Sequence, residues 1–183
     1  MRAIAGNEWQ QTYGRAFRSV FRGTDPFDQP IAESAPHRAL LYPVPYLLQR
    51  GQFDALRTAA QDVGDDELCV SITEEFDALD GSQAGHWIIN YWEHSEYRDL
   101  GRVGVLENAI YSPRGIWGVL ISHEDHAIVG AKEQRFIDVL KTHFPEFSAA
   151  RDEFLAYWSD VKARREADVS WLPSLLQHVY GGE

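Results

Sequence analysis

The chain contains a single cysteine, Cys69, so no disulfide can form within it, and its neighbours Leu68 and Val70 predict a small buried side chain. Continuous apolar runs of membrane-spanning length are missing. The first residues, MRAIAGNEWQQTYGRAFRS, are broken by Gly6, Asn7, Glu8 and Gly14 where a signal peptide would be unbroken. These absences predict a cytoplasmic protein with no membrane partner. No Gly-Lys-Ser/Thr occurs, and Gly101, Gly104 and Gly115 do not compose a loop that could cradle a phosphate. No serine stands in the Gly-x-Ser-x-Gly elbow that presents an attacking hydroxyl. No cofactor is therefore expected. Repeats, low-complexity tracts and Ser/Gly linkers are also lacking, so residues 1–183 read as one domain. Within it, 1–36 form an N-terminal helix and loop, 37–130 a mixed α/β body with a hairpin, and 131–183 a helical region.

Basic residues are the scarce charge. Seventeen Lys and Arg stand against 28 Asp and Glu, leaving −11 at neutral pH. Such a surface disfavours nucleic acid and favours a cationic partner. The imbalance is local, because residues 51–131 carry four arginines against fifteen acids, while the flanking segments nearly balance. A solvated, solubilising surface is the plain alternative for any one of these acids.

What is abundant is apolar and aromatic. A hydrophobic fraction of 44% in 183 residues is enough for a substantial core without a metal or disulfide. Residues 23–37, with Gly23, Pro26, Pro30 and Pro36, predict a loop, and 37–48, with Pro43 and Pro45, only an edge or extended segment. Phe53, Leu56, Ala60 and Val63 recur at helical spacing up to Gly64. Leu68, Val70 and Ile72 alternate as a strand does. Thr73 is placed to cap a short acidic helix, Glu74 to Leu79, closed by Gly81, with Glu74 and Glu75 in the first turn. His86 to Trp92 fits a strand, although its aromatics could also wall a pocket.

The clearest local signal is ENAIYSPRGIWGVLIS, residues 107–122. Ser112-Pro113-Arg114-Gly115 matches a type I turn with Pro second and Gly fourth, so the flanks pair as a hairpin. Ile116 to Ile121 is apolar on both faces, as in a strand covered on both sides. A third strand, 126–130, would complete an antiparallel meander over 107–130. Helices follow at 136–143, stopped by Pro145, and at 147–161, with Lys162, Arg164 and Arg165 in the last turn. Ser170 is placed to cap a final short helix before Gly181. Strands followed by helices predict the α+β class.

Seven histidines raise the question of a metal, and His123-Glu124-Asp125-His126 is the densest cluster. A zinc-binding helix needs histidines four apart so that both imidazoles share a face; these are three apart in a turn. His86 or His94 could add a ligand, yet spacing does not require it. No metal is therefore expected. A hydrolase or metal-dependent enzyme using His123, Glu124, Asp125 or His126 stays open as an alternative. So does a structural or regulatory subunit using an aromatic surface built from Trp9, Trp87, Trp92, Trp117, Trp158 and Trp171.

Residues 107–130, ENAIYSPRGIWGVLISHEDHAIVG, resemble a segment of the immunity proteins of bacterial contact-dependent and other polymorphic toxin systems, through Tyr111-Ser112-Pro113, Trp117-Gly118 and His123-Glu124. The resemblance covers about an eighth of the chain and implies a non-enzymatic protein that binds and blocks one cognate toxin. It carries over no binding residue. The acidic charge, read separately, points to a basic protein partner met by Glu74, Glu75, Asp77, Asp80, Glu124 and Asp125.

Overall fold

A computed structural model describes residues 1–77, 79–90, 92–164 and 167–181. Three residues named in the expectations above, Ala78, Tyr91 and Arg165, lie outside the described residues. The fold is α+β. Among the described residues seven strands form one antiparallel sheet: β1 (Arg2–Ile4), β2 (His37–Leu41), β3 (Glu67–Ile72), β4 (His86–Asn90), β5 (Asn108–Tyr111), β6 (Trp117–Ile121) and β7 (Ala127–Ala131). Their spatial order is β1-β4-β3-β5-β6-β7-β2.

Helices cover both faces of the sheet. On one face lie α3 (Arg50–Asp62), α4 (His94–Arg98), a 3-10 turn at Asp99–Val103, and α5 (Gln134–His143). Phe53, Leu56, Tyr97, Leu100, Phe136 and Leu140 there meet Val70, Ile110, Trp117, Val119 and Val129 of the strands. On the other face lie α1 (Gly6–Thr12), α2 (Gly14–Val20), α6 (Phe147–Arg164) and α7 (Leu172–Tyr180). Their Trp9, Phe17, Phe154, Trp158 and Leu175 meet Leu40, Cys69, Tyr111, Leu120 and Ile128. Successive strand residues point to opposite faces, so a sheet sandwiched in this way needs both phases of each strand to be apolar. This accounts for the unbroken apolar run of β6, every residue of which is buried.

The meander predicted over 107–130 is present as β5, β6 and β7. Gly115 closes its first turn at φ 66°, a backbone conformation glycine adopts without strain, and its N–H donates to the Ser112 carbonyl at 2.9 Å. Gly118 and Gly130 face each other across β6 and β7. A Cβ on the first would strike the Phe21 ring and one on the second would strike Ile31, so these glycines let the bridged pair Phe21 and Ile31 lie directly on the sheet. The segment 37–48 contributes β2 at the sheet edge and then leaves the sheet before Pro43 and Pro45, as their missing donors require.

Four expectations are corrected. The N-terminal region holds a strand and two helices rather than one helix, because β1 pairs with β4 more than eighty residues away. The described residues of 74–79 lie in turns and an isolated bridge rather than in a helix. Thr73 does not cap it, since its hydroxyl is buried without a hydrogen-bond partner among the described residues. Six residues form at most a single costly helical turn, and long-range partners for Glu74 and Glu75 outcompete it. Finally, Ser170 does not cap α7: Asp168 accepts from the Ser170 N–H at 2.9 Å and from its hydroxyl at 3.0 Å.

Candidate functional site

Because neighbouring strands run antiparallel, the end of β3, the starts of β4 and β5, the end of β6 and the start of β7 fall at one end of the sheet. The β3–β4 connection (73–85) carries Glu74, Glu75, Asp77 and Asp80; the β6–β7 connection (122–126) carries Glu124 and Asp125. The structure thus brings all six predicted partner-binding residues to one end. Local bonds join the two loops. Glu74 Oε1 accepts from the Leu106 N–H at 3.2 Å, and the Thr73 N–H donates to the Glu107 carbonyl at 3.1 Å. The Glu107 carboxylate meets His123 Nδ1 at 2.6 Å, and His123 Nε2 lies 3.7 Å from Glu124.

Three of these carboxylates, those of Glu74, Glu75 and Asp80, are held by backbone donors. Glu75 Oε2 accepts from the Gly85 N–H at 2.9 Å. Asp77 and Asp80 exchange main-chain hydrogen bonds across a tight turn. Asp80 Oδ1 accepts from the Ser82 N–H and from Gln10 Nε2, both at 2.9 Å, and these bonds hold its carboxyl below the usual range. Asp125 takes φ 56°, a left-handed conformation that a short polar side chain tolerates. Among the described residues, none of the six pairs with a lysine or arginine, and Glu74, Glu75, Asp77, Asp80 and Asp125 are exposed.

The histidines of the 123–126 turn do not converge. His123 is exposed beside Glu107, whereas His126 is fully buried, stacked on Trp171 and reaching the main-chain oxygens of Pro26 at 3.2 Å and Glu124 at 3.3 Å. Burial lowers the His126 pKa. His86 and His94 are occupied elsewhere, His94 by the Leu48 carbonyl at 3.1 Å. Among the described residues no group of three or more His, Cys, Asp or Glu is arranged to hold a metal ion.

A polar chain that sequence reasoning missed lies beneath the acidic loops. Trp9 Nε1 donates to the Tyr111 hydroxyl at 2.7 Å, Tyr111 and Ser71 share a hydrogen bond at 3.1 Å, and Ser71 Oγ lies 2.7 Å from His86 Nδ1. His86 Nε2 then reaches the Gly81 carbonyl at 2.6 Å. With His86 neutral, the donors run in series from Trp9 to Gly81. Burial favours this state, pushing the His86 pKa down and the Tyr111 pKa up. A hydroxyl on an imidazole nitrogen is the arrangement of an activated nucleophile. Here, however, Ser71 is fully buried and His86 nearly so, which leaves no approach for a substrate and makes the chain a support for the Gly81 loop. The only sequence signal was a polar Ser71 inside an apolar strand.

At the opposite end of the sheet, Gln61, Asp66, Glu67, Asn90 and Trp92 line an open depression of about 580 Å³. Of the described aromatics in 86–92, proposed as a pocket wall, Trp92 alone lines it. Nearby, Asp65 is buried and accepts from Arg114 Nε at 2.6 Å and from Trp117 Nε1 at 2.7 Å. Among the described residues no helix is long and apolar enough to cross a membrane. Compared with known proteins, the chain matches no family model, no curated protein and no solved structure.

Proposed function

We propose that this chain is a non-enzymatic, immunity-type inhibitor that captures a basic bacterial toxin domain in the cytoplasm through the acidic loops of residues 73–85 and 122–126. The observation that carries the reading is the grouping of Glu74, Glu75, Asp77, Asp80, Glu124 and Asp125 at one sheet end, unpaired with any lysine or arginine among the described residues. Exposed loops on a rigid scaffold are where binding residues concentrate. Carboxylates already oriented by backbone donors also lose less freedom on association. The resemblance of 107–130 to immunity proteins supports the class of function, though it assigns no binding residue. Buried Ser71 and His86, and the divergent His123 and His126, weigh against an enzyme.

The test uses a basic toxin domain, sought among the products of neighbouring genes. Co-expression with this chain should relieve the growth arrest such a domain causes, and the purified pair should associate. Reversing Glu74, Glu75, Asp77 and Asp80 to Lys should slow association roughly tenfold or more at about 0.15 M ionic strength, with a much smaller change in dissociation. Circular dichroism must accompany the rates, because Glu74 and Glu75 also hold backbone donors. A folded reversed variant that associates at the parental rate sinks the proposed surface.

A further inference from the structure

A second polar site lies away from the acidic loops, where the edge strand β2 meets α5 and α7. His37 and Arg38 from β2, Gln134 and Lys141 from α5, and His178 from α7 line a cavity of about 150 Å³. Among the described residues no carboxylate lines it, although Glu33 acts electrostatically on Arg38 and Asp28 on His178 from outside the lining, and the chain as a whole carries −11.

The hydrogen-bond inventory of this cavity is short of acceptors. Arg38 Nη1 donates to the His178 carbonyl at 2.8 Å, while Arg38 Nε is buried without a partner among the described residues. His178 Nε2 accepts from the Ile31 N–H at 3.2 Å, and His178 Nδ1 faces Arg38 Nη1 at 3.1 Å. A neutral imidazole offers one acceptor nitrogen, so two donors compete for it. Protonating it offers none, and burial together with the charges of Arg38 and Arg22 holds the His178 pKa down to about 4. Arg38 makes no ion pair among the described residues, and burial and Arg22 lower its own pKa. Lys141 adds an ammonium whose nearest recorded partner is the face of Phe147, 5.4 Å away. A partly desolvated guanidinium with a missing acceptor is an unfavourable arrangement unless an anion completes it.

We infer that this cavity binds a small tetrahedral oxyanion, a phosphate or the phosphoryl group of a small molecule. Arg38 on β2 and Lys141 on α5 bring positive donors from two separate elements, so that each can meet a different oxygen of one anion, as a phosphoryl group offers. The cavity is smaller than the roughly 300 Å³ at which pockets begin to enclose whole drug-sized ligands, so only the anionic head enters. The site is independent of the toxin-binding proposal.

Titration calorimetry of the full chain with inorganic phosphate, at a constant ionic strength of about 0.15 M set with chloride, tests it. Saturable one-to-one binding is expected. Lys141→Gln, at the rim and outside the core, should weaken it about tenfold, the scale of one charge-assisted hydrogen bond. Arg38→Gln should abolish it; if that variant fails to fold, Lys141→Gln and His37→Asn decide. A parallel titration with O-phosphoserine separates the sources: tighter binding than phosphate identifies a phosphoryl ligand, weaker binding the free ion. The inference is overturned if phosphate shows no saturation up to about 10 mM, where binding would be worth less than ordinary millimolar affinity, or if folded Lys141→Gln binds as the parent does.

Discussion

The two ends of the sheet use the same residue type in opposite ways. At the end holding the 112–116 turn, two acids are answered by arginines: Asp65 by Arg114 at 2.6 Å and Asp62 by Arg135 at 2.6 Å. Asp65 is also buried and carries the indole N–H of Trp117. At the other end, Glu74, Glu75 and Asp80 are exposed and answered by N–H groups. A carboxylate enclosed by a guanidinium and an indole is part of the core. One held by neutral donors at the surface keeps its charge available to a partner. The sign and number of charges in a segment therefore say less about function than what each charge already meets.

The largest expected effect lies at the arginine-answered end. Trp117 is fully buried, stacked on Phe136 at a centroid distance of 5.1 Å, and bonded to Asp65. Trp117→Ala should cost about 3–5 kcal/mol in denaturant unfolding, as large-to-small core changes do. The acidic loops are 73–85 and 122–126, remote along the strands, so this variant, where still folded, should bind a basic partner at the parental rate. Unchanged stability would show that the two ends do not differ as described.

Acid should act the other way round, on the loop end first. His86 and His126 anchor the acidic loops through the carbonyls of Gly81 and Glu124, and burial depresses both pKa values. A histidine whose folded pKa lies below its unfolded value contributes stability that is complete above about pH 6.5 and is lost as pH falls through the folded value. His178, held down to about 4, adds to the same trend at the edge of the sheet. Between about pH 6.5 and 4, protection against amide exchange, corrected for the intrinsic slowing of exchange in acid, should therefore fall at Ser122, which donates to the His126 carbonyl, before it does at Ser112, which donates to the Trp117 carbonyl. Equal loss of protection at both amides would contradict the division.

Much of the fold was legible where the signals were local. The Ser112-Pro113-Arg114-Gly115 turn, the alternation in 67–72 and the prolines after β2 each act within a few residues. What was not legible depends on distant partners. β1 is three residues long and exists because β4 lies beside it. The helix expected at 74–79 was excluded by the N–H groups of Gly85 and Leu106, the second 32 residues from Glu74. The acidic residues could be named from composition, but their gathering at one end follows from the strand order, in which β3 lies between β4 and β5. The Trp9–Tyr111 bond joins residues 102 positions apart and the Arg38–His178 contact residues 140 apart, beyond the reach of any spacing rule.

The smallest effect sharpens the comparison most, because it separates placement of charge from its total. Arg15 and Lys132 line a depression with Pro113 and Arg114 beside the 112–116 turn, at the end opposite the acidic loops. Replacing both by Gln makes the chain more acidic, so if net charge alone steered a basic partner, capture should quicken. A strand of five residues spans roughly 17 Å, about two Debye lengths at 0.15 M salt, so screening leaves only about a seventh of their influence at the loop end. The double variant should therefore associate with a basic partner at the parental rate at 0.15 M. It should become faster only near 0.01 M, where the Debye length reaches about 30 Å and the whole molecule is felt. Stopped-flow rates at the two salt concentrations distinguish the cases. Faster capture at 0.15 M, matching in size the slowing produced by reversing Glu74, Glu75, Asp77 and Asp80, would mean that the partner responds to the overall field. The acidic loops would then be only one part of a diffuse negative surface.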